Sequence, residues 1–176
     1  MQTINISAAK ELTELDSTLN KKIAEIKKKQ KEVFNTEINR LWQEFETFFK
    51  GHRLDPKNYV DGEKTTFSVN MGRLHFTFDV THYNGNILNA CFTTQSNDGK
   101  KQQFLHIRFS EKLHDLSHSD KGIPVEELIP KVKDLIKKAD DNLKVLDQPK
   151  FKLESLIENT YTDEKSLTAY LNTKFQ

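Results

Sequence analysis

Between residues 7 and 49 the chain has neither glycine nor proline, and apolar residues return at helical spacing throughout: Leu12, Leu15, Leu19, Ile23, Ile26, Val33, Phe34, Ile38, Leu41, Phe45, Phe48 and Phe49. That pattern predicts a long amphipathic helix over residues 1–50, started by Ser7 as a side-chain cap and ended by Gly51 in a left-handed conformation. Residues 16–20 are its weak point, where the chain could instead fold back as a helical hairpin. An unbroken helix would measure ~65 Å, against roughly 40 Å for the diameter of a compact domain of this length. An apolar stripe that overhangs its own domain calls for a cover, so the expected partner is a second copy, with self-association through this helix. The stripe shifts phase at Leu19–Ile23 and at Val33–Phe34, which argues against a long parallel coiled coil.

The next signal has a period of two. Leu74, Phe76, Phe78 and Val80 alternate with His75, Thr77, Asp79 and Thr81, as in a strand with one buried face. Three further strands follow from the turns, so residues 65–109 read as a four-stranded antiparallel meander. Tyr83-Asn84-Gly85 reads as a three-residue loop pairing Val80 with Leu88, and Asp98-Gly99 as a two-residue turn pairing Phe92 with Leu105 and Leu88 with Phe109. Phe67 and Val69 would meet Phe76 and Leu74 across Met71-Gly72. Residues 123–176 read as C-terminal helices packed on one sheet face. The first carries Val125, Leu128, Val132, Leu135 and Leu146, has Pro124 in its first turn, and is kinked or restarted at Pro130. Two shorter ones cover about 151–158 and 163–174, the latter capped by Thr162. The fold class is α+β, and 176 residues suffice for a single domain spanning 1–176.

Composition excludes several functions. Net charge is +1, with no broadly basic or acidic segment, and the single Cys91 rules out a disulfide framework or a cysteine-based zinc site. With no apolar leader and no run of membrane-spanning length, the expectation is a cytoplasmic protein with no membrane partner. Every glycine is isolated, so no phosphate loop or dinucleotide fingerprint is present. No cofactor is expected.

Two constellations remain. Lys21, Lys22, Lys27, Lys28, Lys29 and Lys31 face only Glu25 within residues 21–31, a basic patch suited to a phosphate backbone. On the polar face of the sheet, the expected register sets Asp79, Asn89 and Arg108 in one row, Thr77, Cys91 and His106 in the next, and His75 beside Thr93. Arg108, His75 and His106 could read phosphate, or an Asp–His pair could perform acid/base work. His114 and His118 have a metal-compatible spacing, but Ser117, Ser119 and Gly122 favour a loop there, so no metal site is expected. The leading expectation is a non-enzymatic oligomeric binding protein whose ligand is nucleic acid. The alternatives are a protein-interaction module, an inhibitor or adaptor using the long helix, and a small enzyme with its site on the polar sheet face.

Overall fold

The computed structural model describes residues 5–83, 86–157 and 160–175, with the backbone alone at Tyr83. Its elements are α1 (Ile6–Gly51), β1 (Lys57–Asp61), β2 (Lys64–Met71), β3 (Leu74–Tyr83), β4 (Ile87–Ser96), β5 (Gly99–Phe109), α2 (Val125–Asp147), β6 (Phe151–Ile157), β7 (Thr160–Glu164) and α3 (Leu167–Lys174). The fold is α+β with a long N-terminal helix, but the sheet has seven strands, not four, in the order β1-β2-β3-β4-β5-β6-β7. Every neighbouring pair is antiparallel. The chain divides into two compact units, Met1–Lys31 with Glu111–Pro149, and Glu32–Ser110 with Lys150–Gln176.

α1 runs through residues 16–20 without a break. Asn5 caps it in place of Ser7, its Oδ1 accepting from the Ala8 N–H at 3.1 Å. At the other end Gly51 stays helical and Arg53 takes the left-handed conformation, φ 62°. The Leu54 N–H then donates to Phe49 O and the Arg53 N–H to Lys50 O, which satisfies two terminal carbonyls.

In the first unit, ion pairs tie α1 to α2. Glu11 meets Lys133 at 2.7 Å, Lys22 meets Asp140 and Lys29 meets Asp147. Both partners ascend in number together, so the two helices run in the same direction. Leu19, Ile26, Leu128, Val132, Ala139 and Leu146 are buried in this unit. Pro130 does not restart α2, which is continuous from Val125 to Asp147 with the proline inside it. The proline is exposed in the second turn, where water can serve the carbonyl it leaves unpaired. The stretch after β5 is not helical, as the serines and Gly122 imply. It is anchored by buried Asn142, whose Oδ1 accepts from the His114 N–H at 2.7 Å and whose Nδ2 donates to His114 O at 3.0 Å.

The second unit holds the sheet. Its inner face buries Phe67, Phe78, Val80, Leu88, Leu105 and Ile107 completely. The C-terminal part of α1 lies on this face, with Phe45 and Trp42 against Phe67 and Phe49 against Phe76. α3, capped by Ser166 and not Thr162, adds Tyr170 against Phe92. Residues 151–158 were expected to be helical, but Phe151–Ile157 is strand β6, with Leu153 and Ser155 turned inward. Only α3 of the C-terminal helices belongs to this unit.

Each of the expected hairpin registers is off by two residues. Val80 pairs with Ala90 and His82 with Leu88, Phe92 with Gln103 and Ala90 with Leu105, Phe67 with Phe78 and Val69 with Phe76. The turns explain two of the slips. Met71 pairs with Leu74, which puts Gly72, φ 59°, where positive φ is needed and relieves Met71 of that demand. Ser96 pairs with Gly99, so Asn97 and Asp98 are the turn residues, neither with positive φ, and Gly99 carries φ 131° as the first strand residue. The loop expected at Tyr83-Asn84-Gly85 has its last two residues outside the described ones. Ser110 N–H donates to Lys150 O at 2.7 Å, so the chain leaves and rejoins this unit at one point.

Candidate nucleic-acid interface

A two-residue slip keeps every side chain on its face but changes its neighbours across the sheet. The expected row of Asp79, Asn89 and Arg108 does not form. Asp79 lies beside Cys91, which lies beside Phe104. Asn89 lies beside His106, and His106 beside Glu154. Arg108 lies between Ile87 and Lys152, and His75 beside Gln95. The Asp79 carboxylate is 3.1 Å from Lys64 Nζ and accepts from Thr66 Oγ1 at 2.7 Å. No hydrogen bond joins it to a histidine among the described residues, so the expected Asp–His pair does not form. His75 Nδ1 is 2.6 Å from Asn70 Oδ1.

Arg108 forms a bidentate pair with Glu154, Nε to Oε2 at 2.9 Å and Nη2 to Oε1 at 2.5 Å. The Glu154 side chain is only 8% exposed. The hydrogen bonds from Arg108 hold its carboxyl below the ordinary 4.5, against the opposing effect of burial. A depressed carboxyl contributes stability that is complete above its unfolded pKa and is lost as pH falls through its folded one. Urea titrations should therefore show stability falling as pH drops below about 4.5. Arg108→Leu should flatten or reverse the Glu154 contribution to that slope, because burial alone then raises its carboxyl, and should cost about 1–3 kcal/mol at neutral pH, since it strands a buried carboxylate whose partner is itself half exposed. An unchanged acid profile would show that the pair contributes nothing.

Two aromatic residues that the sequence reading passed over dominate the polar face. Phe104 is 55% exposed in a position where alternation calls for a polar side chain, and the run Phe104-Leu105 was the available signal. Tyr161, on β7, stacks against His106 with ring centroids 4.7 Å apart, its Oη 3.4 Å from Nε2. An open bowl of about 550 Å³ lies on this face, lined in part by Lys64, Asn89, Cys91, Gln102, Phe104 and His106. Lys64–Asp79, Arg108–Glu154 and Lys152–Asp163 pair its charges off. The result is a face rich in rings, amides and hydroxyls, carrying cations but little net charge.

The lysine cluster of α1 belongs to the first unit and does not stand clear. Lys22 and Lys29 are committed to Asp140 and Asp147, while Lys21, Lys27, Lys28 and Lys31 are exposed. That unit has 14 cationic against 13 anionic side chains, so α2 offsets the local excess. Much of the apolar stripe of α1 is buried, including Leu19, Ile26, Phe34, Ile38, Leu41, Phe45 and Phe49. Of its large apolar side chains among the described residues only Ile6 is exposed, while Leu12, Leu15, Ile23 and Val33 are half-buried. Among the described residues no group of His, Cys, Asp and Glu could hold a metal ion, and no helix is long and apolar enough to cross a membrane. No family model, curated protein or solved structure matches this chain.

Proposed function

We propose that the protein is a non-enzymatic binding protein whose ligand is single-stranded nucleic acid, taken on the outer face of the sheet. The observation that carries this reading is the exposed Phe104 ring, close to the stacked Tyr161–His106 pair on a face supplied with neutral hydrogen-bonding groups. Unpaired bases stack on such rings, and Gln102, Asn89 and Thr81 offer donors and acceptors to their edges. Lys64, Arg108 and Lys152 border the platform and can meet phosphates, though their carboxylate partners limit the electrostatic contribution. Affinity should thus come mainly from stacking, with a shallow dependence on salt.

The test is fluorescence anisotropy with labelled single-stranded RNA, single-stranded DNA and duplex DNA at two salt concentrations. Single strands should bind and the duplex should not, because its bases are already stacked. Phe104→Ala and Tyr161→Ala should each weaken binding by about 1–3 kcal/mol, roughly 5- to 150-fold, with circular dichroism unchanged. Lys22→Gln, Lys28→Gln and Lys29→Gln together should have little effect. Equal binding of duplex, or loss confined to the lysine variant, would move the site to α1.

A further inference from the structure

β1 is the terminal strand at one end of the sheet, and residues 57–82, which form that end, are all described. All five of its residues are exposed, Tyr59 at 67% and Val60 at 62%. Its sequence, Lys57-Asn58-Tyr59-Val60-Asp61, sets two large apolar side chains between a cation at one end and an anion at the other. The turns fix which of its main-chain groups face outward. Asp61 pairs with Lys64 across Gly62-Glu63, and Gly62 has φ 59°, as the first central position of a type II′ hairpin turn requires. Residues flanking such a turn exchange hydrogen bonds, so Asp61, Tyr59 and Lys57 turn their main-chain groups to β2, while Asn58 and Val60 direct theirs outward. The next turn agrees. Met71 and Leu74 flank Gly72-Arg73, so Thr65, Phe67 and Val69 turn their main-chain groups to β3 and leave those of Thr66 and Ser68 for Tyr59 and Lys57.

We infer that β1 is an interface at which a second copy of this chain adds to the sheet, antiparallel, across a two-fold axis at Tyr59. Outward-facing groups must meet outward-facing groups, which leaves registers centred on Asn58, Tyr59 or Val60. Centring on Asn58 leaves Asp61 outside the paired strand, and centring on Val60 leaves Lys57 outside it. Centring on Tyr59 pairs all five residues. Asn58 then exchanges main-chain hydrogen bonds with Val60 of the second copy, twice over, and Tyr59 meets its own counterpart at the closely spaced position between them. Lys57 lies opposite Asp61 of the second copy on both sides of the axis, on the same face as the two tyrosine rings. A strand whose charge order runs from plus to minus is its own complement once reversed, and this selects a second copy as the occupant. Parallel addition would instead oppose lysine to lysine. One five-residue strand from each copy makes a small interface, so the dimer is a weak and reversible one.

Sedimentation equilibrium on the full chain, taken up to about 1 mM, should show the mass rising toward twice that of one chain. Lys57→Asp and Asp61→Lys each turn two opposite-charge pairs into like-charge pairs, and each should weaken dimerisation about tenfold or more. An equimolar mixture of these two variants should recover it, because every pair in the mixed dimer is again of opposite charge. The double variant K57D/D61K should recover it alone. Circular dichroism should be the same for all four proteins. Phe104→Ala and Tyr161→Ala, which test nucleic-acid stacking, should leave the dimer intact. A chain that stays monomeric at every concentration, single variants that dimerise as well as the parent, or a mixture no more associated than its components would each overturn the inference.

Discussion

Phe45→Ala should lower the stability of the sheet unit by about 3–5 kcal/mol, a large share of the roughly 5–15 kcal/mol that holds a typical domain folded. Phe45 is fully buried, with its ring 4.6 Å from that of Phe49, 5.7 Å from Phe67 and 6.2 Å from Trp42. Its removal takes away the transfer free energy of the ring and leaves a cavity in a cluster of rigid rings that cannot close around it. The chain's one tryptophan lies in the same cluster, so its fluorescence reports this unit directly. Urea titration should show a lower midpoint with a similar slope. Phe45→Leu, which refills much of the space, should lose clearly less. A cost under about 1 kcal/mol for the alanine variant would mean that the aromatic cluster is not closely packed.

The other large effect belongs to the helical unit. Asn142 is 2% exposed, and its amide serves both main-chain groups of His114. Asn142→Leu keeps the volume but leaves a donor and an acceptor unpaired, at about 1–3 kcal/mol each when buried. Since His114 sits in an exposed segment, about 2–4 kcal/mol is expected in all. The segment following β5 should then detach locally, and trypsin should cut faster at Lys112 and Lys121. Asn142→Asp retains the acceptor for the His114 N–H and loses only the donor, so it should fall between wild type and Asn142→Leu. Equal protease resistance in all three proteins would show that the segment is held by other contacts, such as burial of Leu113.

What could be read from the residues alone was the face of each central strand. Phe76, Phe78 and Val80 point inward in any register that preserves parity, and the hydrophobic pattern fixes parity only. Choosing among registers two residues apart depends on turn geometry, and there the dipeptide Asp98-Gly99 misled, because the strand begins at Gly99 itself. β1 escaped notice since all five of its residues are exposed and no alternation marks an edge strand. In β6 the inward positions include Ser155 and the polar side buries Glu154, so the apolar spacing of Leu153, Leu156 and Ile157 fits a helix as well as a strand. The candidate interface was half legible. His106 and Arg108 were assigned to the right face, but Tyr161 could not join them until β7 was recognised, and Phe104 was hidden by the assumption that this face is polar. The lysines of α1 were correctly seen as a cluster, but the carboxylates of α2 that answer Lys22 and Lys29 lie 118 residues away along the chain.

The point where Ser110 meets Lys150 bears on the order in which the sheet assembles. β1 to β5 follow one another through short connections, so each can zip onto the last at little entropic cost. β6 must wait for a loop of about 40 residues to close, which costs about 2 kcal/mol more than a four-residue turn by the logarithmic law. Unless the loop has already been shortened by its own folding, the β6–β7 hairpin docks late and departs early. In that interval the bare edge of β5 extends from residue 99 to residue 109, so a chain emerging from synthesis exposes its longest pairing template before the strand meant for half of it arrives.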